Sequence, residues 1–186
     1  MLRRGTILAL LLLATSAAAP AVKEVEHAAP RAQATLLLGG VSIRVDYGRA
    51  GAKGRKVFGA LVPYDRVWRL GADEATRLET DGDLVIGPLT VPAGRYALFV
   101  VPSLGSWKLI VNRVADQWGA FNYDPRQDVG RLEMALAMAE TPTDPLTITL
   151  EATAERTAVL RVAWEKVVAT VPIAIAEAGP PAPGRP

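Results

Sequence analysis

The segment V-S-I-R-V-D-Y at residues 41–47 alternates apolar and polar side chains with a period of two. Val41, Ile43 and Val45 fall on one side of this pattern, and Arg44 falls on the other. Successive side chains of a β-strand point to opposite faces of a sheet, so the segment predicts a strand with one buried face and one solvated face. Further runs with strand character follow, separated by turn residues. The predicted strands are residues 41–47, 75–80, 83–86, 95–101, 106–113, 131–139, 146–153, 157–166 and 168–176.

About nine short strands without a long helical pattern predict an all-β fold, either an antiparallel β-sandwich or a jelly roll. Asp81-Gly82 lies between two strand patterns and favours a two-residue hairpin, because glycine accepts the positive φ of such turns. A calcium loop that uses Asp81 and Asp83 is the alternative there. Met134 and Met138 are spaced as on one face of a helix, so a short helix is the alternative to a strand at that point.

The two ends of the chain differ from this central part. Arg3 and Arg4 precede an apolar run and then small residues up to Ala21, the pattern of a cleaved secretory signal peptide rather than of a membrane anchor. We expect cleavage after Ala18 or Ala21, and therefore a protein exported to the periplasm or the medium. The predicted division is a signal peptide at 1–20, a polar arm at 21–34, one β-sandwich domain at 35–176 and a disordered Pro/Gly tail at 177–186.

Composition argues against several classes of function. The chain has 21 basic and 19 acidic residues, and Arg3 and Arg4 leave with the signal peptide, so 19 of each remain. This balance gives no reason to expect nucleic acid, whose binding needs a basic face. The chain has no cysteine, and its single histidine, His27, lies in the polar arm. We therefore expect no zinc site, cysteine nucleophile or Ser-His-Asp triad, and we predict no metal or cofactor.

Charged and aromatic residues concentrate in V-P-Y-D-R-V-W-R-L-G-A-D-E-A-T, residues 62–76. Two interpretations fit Trp68, Arg69, Asp73 and Glu74. In the first, they form a ligand site, which requires a loop, because neighbouring side chains of a strand point to opposite faces. In the second, Arg69 forms a structural ion pair with Asp73 or Glu74, capped by Trp68. We favour the ion pair, because ion-pair networks often resemble functional sites.

A second cluster, Q-W-G-A-F-N-Y-D at residues 117–124, crowds three aromatic residues around a glycine. Exposed aromatic rings on this loop would stack on a sugar ring or a peptide side chain, with hydrogen bonds from Asn122 and Asp124. In the alternative, which we favour, Trp118 and Phe121 fold back and close an open end of the sandwich, because aromatic residues are more often buried. The candidate ligand-binding residues of this loop are Trp118, Asn122, Tyr123 and Asp124.

The third cluster is a glycine-rich loop with four basic residues at 49–56, called the basic loop below. Its glycines would let backbone N–H groups approach an anion, and Lys53, Arg55 and Lys56 would supply positive charge. The spacing matches neither a phosphate-binding P-loop nor a dinucleotide-binding turn. We therefore favour a solvated loop, with a small-anion site as the alternative.

Several of these segments together resemble a family of secreted bacterial proteins, the domain of unknown function 2911. The chain departs from the family pattern after the first predicted strand, where Gly48 and Ala50-Gly51 replace a polar residue and a proline. The resemblance implies secretion and a β-rich domain, and it implies no established reaction. It extends over residues 41–47, 53–76, 91–102, 117–124 and 164–173, nearly the whole predicted domain.

Two functions of different classes fit the sequence. The first is a non-enzymatic envelope protein that binds a small molecule, a glycan or a protein partner, because no nucleophile or metal set is present. The second is a hydrolase or isomerase that uses carboxylate acid–base chemistry, with Asp73, Glu74 or Asp124 in a cleft and Arg69 orienting an anionic substrate. The enzyme requires two carboxyl groups and Arg69 to line one concave pocket. We favour binding over catalysis.

Overall fold

The computed structural model describes residues 28–177, which fold as β-strands joined by turns and loops. Each strand pairs antiparallel with its neighbours in the sheet. One short 3₁₀ turn at Pro125–Gln127 interrupts the strands. The strands are β1 (Arg31–Leu38), β2 (Val41–Gly48), β3 (Thr76–Thr80), β4 (Leu84–Ile86), β5 (Leu89–Val91), β6 (Gly94–Ser103), β7 (Ser106–Asn112), β8 (Asp128–Ala154) and β9 (Thr157–Ile175).

Three sequence predictions fall outside the described residues: the signal peptide, the position of His27, and the tail from residue 178 onward. Within residues 28–177, the structure contains no helix that is long and apolar enough to span a membrane.

The nine strands form one sheet in the order β1-β2-β3-β6-β7-β8-β9-β4-β5. This confirms the predicted all-β antiparallel fold. The two halves of the sheet enclose one hydrophobic core, because Ile43 of β2, Leu84 of β4 and Trp164 of β9 belong to the same buried cluster. Burial of this apolar surface is the main source of stability in a chain that has no disulfide.

The long strands β8 and β9 link the two halves of the sheet. β8 has 27 residues and pairs with β7 along its first part and with β9 along most of its length. The sequence analysis predicted two short strands in place of each, at 131–139 and 146–153 and at 157–166 and 168–176. Pro142 and Pro145 lie between the first two. The ladder shifts register between Met138 and Thr143 and again between Thr143 and Thr147, so these prolines lie where the ladder is irregular.

The segment that includes Met134 is a strand and not a helix. Met134 is buried against the core, whereas Met138 is 71% exposed. Residues four apart in a strand lie on the same face of the sheet, because side chains alternate with a period of two. Met138 is exposed because β8 extends beyond the core at that point.

The predicted hairpin at Asp81-Gly82 was wrong. β3 pairs with β2 and β6, whereas β4 pairs with β5 and β9, so this turn carries the chain from one half of the sheet to the other. Oδ1 of Asp81 accepts from the N–H of Ser42 at 2.7 Å, and Oδ1 of Asp83 accepts from the N–H of Ala93 at 2.8 Å. The two carboxylates stabilise this connection by accepting hydrogen bonds from backbone N–H groups of other segments. A local turn pattern does not predict these long-range bonds.

β1 begins at Arg31, inside the segment that the sequence analysis assigned to the polar arm. Ala32, Ala34 and Leu36 pack partly buried against the core. Alanine contributes little apolar area, so the alternation of residues 31–36 is too weak to predict a strand from the sequence. The strand matters for the site below, because the chain enters the fold next to residues 69–74.

Candidate functional site

Residues 62–76 run between β2 and β3 as an irregular segment that hydrogen bonds hold at two points. Near its start, the N–H of Trp68 donates to the carbonyl of Val100 at 2.7 Å, and the N–H of Val100 donates back at 2.8 Å. Near its end, two further backbone bonds of 2.9 Å join it to residues 117–119. The side chains between these points are therefore held on a fixed backbone.

Three non-glycine residues of this segment have a left-handed backbone: Asp65 at φ 59°, Leu70 at φ 56° and Asp73 at φ 62°. Each such residue costs about 1–3 kcal/mol and persists only where its surroundings determine the conformation. At Leu70 the side chain is fully buried. Strained residues of this kind cluster at functional segments, so their concentration here supports a site.

Arg69 does not form the predicted structural ion pair. Glu74 instead accepts from Nη1 of Arg31 at 2.8 Å, and Oδ2 of Asp73 accepts from the backbone N–H of Ala29 at 3.1 Å. The Nε atom of Arg69 is buried and has no hydrogen-bond partner. The interpretation of Arg69 as a scaffold cation is therefore wrong.

Trp68 packs into an aromatic cluster instead of capping an ion pair. Its ring stacks on that of Trp164, with centroids 5.9 Å apart and an interplanar angle of 25°. Phe58 and Trp107 meet its edges at centroid distances of 6.2 and 6.4 Å. The indole N–H of Trp68 donates to the carbonyl of Gly71 at 3.3 Å, which ties the cluster to the irregular segment.

Carboxylates from β8 and β9 hold the basic loop through backbone N–H groups, one at Ala52 in the loop and one at Val57, the residue that follows it. Oδ1 of Asp144 accepts from the N–H of Ala52 at 2.9 Å, and Oε1 of Glu165 accepts from the N–H of Val57 at 2.9 Å. The nearby acidic groups thus bind backbone donors and not the cationic side chains of the loop. This arrangement fixes the loop and leaves its positive charge uncompensated by those carboxylates.

These two segments meet in a pocket of about 350 Å³, called the cationic pocket below. Within the part of the chain that the structure describes, its cationic lining residues are Arg49, Lys53, Arg55 and Arg69, and its one acidic lining residue is Asp73. Trp68 and Trp164 line it as well, together with apolar and small residues that include Leu61, Val62 and Gly71.

Five of the sequence-predicted site residues therefore come together. The structure brings Lys53 and Arg55 of the basic loop to the same pocket as Trp68, Arg69 and Asp73. In the basic loop, Arg55 donates from Nε to the carbonyl of Ala52 at 3.0 Å. Neither Lys53 nor Arg69 has an ion pair within the described part of the chain. Lys56 and Glu74 do not line the pocket.

The aromatic loop at residues 117–124 lies beside the pocket but does not line it. Trp118 is 45% exposed and Phe121 is 83% exposed, so the expectation that both fold back to close the sandwich was wrong. A Cβ atom placed on Gly119 would lie 3.8 Å from Nη1 of Arg69, which shows how close the loop comes to the site. Stacking of a glycan on these rings stays a prediction.

The remaining candidates of this loop make structural contacts. Tyr123 packs its ring against Phe99 at 5.0 Å and donates from its hydroxyl to Oδ2 of Asp128 at 2.7 Å. Burial, and then this hydrogen bond, raise the pKa of Tyr123 to about 12, so the hydroxyl stays neutral at physiological pH. Asp124 caps the 3₁₀ turn, and hydrogen bonds from Arg126 hold the pKa of its carboxyl below the ordinary range. Asn122 is exposed.

The geometry required for a carboxylate enzyme is not met by the predicted residues. Asp73 lines the cationic pocket with Arg69, whereas Glu74 lines a separate pocket of about 160 Å³ with Arg77. Asp124 is held in its cap by Arg126, outside both pockets. Among residues 28–177, no group of three or more His, Cys, Asp or Glu side chains is arranged to hold a metal ion.

Sequence reasoning missed two lining residues, Arg49 and Trp164. Arg49 belongs to the basic loop and was counted there without being chosen as a site residue. Trp164 lies in β9, nearly 100 residues after Trp68, and the predicted strand pattern gave it only a core position. Trp164 reaches the pocket because β9 pairs with β8, and a local sequence pattern does not predict this pairing.

One family model matches the chain, over residues 29–173, and its description reads "Protein of unknown function (DUF2911)". No curated protein and no solved structure matches the chain.

Proposed function

The chain belongs to the family described as proteins of unknown function (DUF2911), whose description names no activity, and we propose a function from the cationic pocket. The protein is an exported, non-enzymatic binding protein for a small organic anion. The anion lies between Arg69 and the basic loop.

The absence of a carboxylate partner for Arg69 is the observation that carries this proposal. Arg69 lines the cavity and forms no ion pair with the described residues 28–177, although Asp73 and Glu74 follow it closely in the sequence. Its Nε atom is shielded from the cavity, so a ligand would bind the two Nη groups. Guanidinium groups bind carboxylate and phosphate through two parallel hydrogen bonds, and an anion in the pocket would supply the missing partner.

The rest of the lining supports the same ligand charge. Of residues 28–177, four cationic side chains and one carboxylate line the pocket, so this lining attracts anions and disfavours cations. In a partly sheltered cavity the attraction between opposite charges is stronger than on an open surface, because water screens it less. Asp144 and Glu165 keep the basic loop in position through backbone bonds, so binding does not first require the loop to order.

The test is calorimetric titration of the purified protein with benzoate and phenyl phosphate, beside Arg69→Met. We expect Arg69→Met to lower the affinity for these probes by about tenfold or more, because it removes a charge-assisted hydrogen bond. The matched control is Arg66→Met, which removes the same charge three residues earlier from an exposed position outside the pocket.

Two results would contradict the proposal. One is that none of these anions binds the protein. The other is that Arg66→Met weakens binding as much as Arg69→Met does, because the effect would then reflect overall charge and not the pocket.

A further inference from the structure

We propose that the ligand of the cationic pocket is a phosphate monoester of an alcohol that carries a single ring. This inference rests on the proposed anion-binding function and narrows it to one class of ligand. The charge of the pocket, the origin of its cations and its aromatic lining each support it.

The pocket carries more positive charge than a singly charged ligand would neutralise. Among the described residues 28–177, the lining contains four cationic side chains and the carboxylate of Asp73, an excess of three positive charges. The four are Arg49, Lys53, Arg55 and Arg69. A carboxylate or a sulfate ester brings one negative charge, whereas a phosphate monoester brings about 1.5 to 2 at pH 7. Since the attraction grows with the charge of the ligand, the phosphate monoester is favoured.

The cations come from two separate segments of the chain. Arg69 lies in the segment before β3, whereas Lys53 and Arg55 lie in the basic loop after β2. A carboxylate offers two oxygens in one plane. A phosphate monoester offers three terminal oxygens that are not coplanar with the ester bond, so it accepts from donors that approach in different planes.

The uncharged part of the lining suits a ring. Trp68 and Trp164 stack on each other and are 8% and 2% exposed, so a ligand would touch only their edges, beside the exposed side chain of Leu61. A ring whose face meets the edge of an aromatic side chain adopts one of the geometries that aromatic pairs prefer. The volume of about 350 Å³ is near the lower end of the range for ligand pockets, about 300–1,000 Å³, so it suits one ring with its phosphate.

The first experiment compares phenyl phosphate with phenyl sulfate, which has nearly the same shape and one negative charge, by calorimetric titration of the wild-type protein at about pH 7.5. Benzoate and inorganic phosphate complete the set of probes. We expect phenyl phosphate to bind at least about tenfold more tightly than each of the other three, because each lacks either the second charge or the ring.

The outcomes separate this inference from the proposed function. If phenyl sulfate or benzoate binds as tightly as phenyl phosphate, and binding still depends on Arg69, the phosphate assignment fails and the anion-binding function stands. If inorganic phosphate binds as tightly as phenyl phosphate, the ring is not recognised and the inference also fails. If none of the four probes binds, both are overturned.

A pair of lysine variants tests whether the basic loop binds the second negative charge of the phosphate monoester. Lys53→Met should reduce the ratio of phenyl phosphate to phenyl sulfate affinity severalfold, because Lys53 lines the pocket. Lys56→Met should leave that ratio unchanged, since Lys56 belongs to the same loop but lies outside the lining. Equal ratios in Lys53→Met and wild type would contradict the assignment of the second charge to this loop.

Discussion

The side chain of Arg69 has a buried Nε atom, yet no acceptor in residues 28–177 bonds to it. Arg31 holds Glu74 instead, and the N–H of Ala29 bonds to Asp73. The sequence favoured an ion pair because two carboxylates follow Arg69 within five positions. The chain between them turns through the left-handed residues Leu70 and Asp73, and no propensity rule places a left-handed backbone at a buried leucine. The backbone conformation of residues 70–73 therefore explains why Arg69 does not pair with Asp73 or Glu74.

The stability of Arg69→Met tests this assignment. We expect its free energy of unfolding to lie within about 1 kcal/mol of wild type, because no bonded carboxylate loses its partner. Arg31→Met is the comparison, and we expect it to lose about 1–3 kcal/mol, because it removes the ion pairs with Asp46 and Glu74. Urea unfolding followed by tryptophan fluorescence measures both. A loss of about 3–5 kcal/mol in Arg69→Met would identify a structural ion pair and contradict the site.

The basic loop owes its conformation to contacts with distant strands. Asp144 of β8 and Glu165 of β9 bond to its backbone, and its first turn depends on close packing at Gly48. A Cβ atom at Gly48 would lie 2.1 Å from the carbonyl oxygen of Ala72. Only a glycine permits this distance, so the end of β2 lies against Ala72 in the wall of the cationic pocket.

Substitution of Gly48 should disturb both the fold and the pocket. We expect Gly48→Ala to destabilise the protein by about 1–3 kcal/mol, because backbone must move to make room for the methyl group. Probe binding should weaken as well, since Ala72 lines the pocket. Gly51→Ala is the control for stability alone, because its Cβ atom would meet only Cγ of Lys53, at 3.9 Å, although Gly51 lines the pocket. Urea unfolding and titration with phenyl phosphate measure the two effects, and equal stability of the two variants would disprove the close contact.

The sheet as a whole places the three candidate clusters next to one another. β8 and β9 run past both halves of the sheet, so they bring Asp144, Glu165 and Trp164 beneath the basic loop. β6 and the aromatic loop hold the two ends of the segment at 62–76. A pocket built from parts so far apart in sequence forms only after the sheet has folded over its core.

Export is a prediction about the full-length chain. Expressed in a bacterial host, the protein should appear in the periplasm or the medium with a new N-terminus at Ala19 or Val22, because the apolar run after Arg3 and Arg4 directs export and the small residues allow cleavage. Cell fractionation and N-terminal sequencing measure this. A variant with Leu10→Arg and Leu12→Arg should stay unprocessed in the cell. Wild-type protein that keeps Met1 inside the cell would show that the segment is not a signal peptide.

The amino-acid sequence was sufficient for the all-β antiparallel class, the family, and most segments from which the pocket is built. Period-two alternation, turn residues and clusters of charge are local properties, and strand formation follows from them. Chain folding in three dimensions decided that the strands on either side of Asp81-Gly82 do not pair, that neither Asp73 nor Glu74 pairs with Arg69, and that Trp118 and Phe121 stay exposed. These outcomes depend on contacts between residues as far apart as Val57 and Glu165, whose energies arise only when the core brings them together.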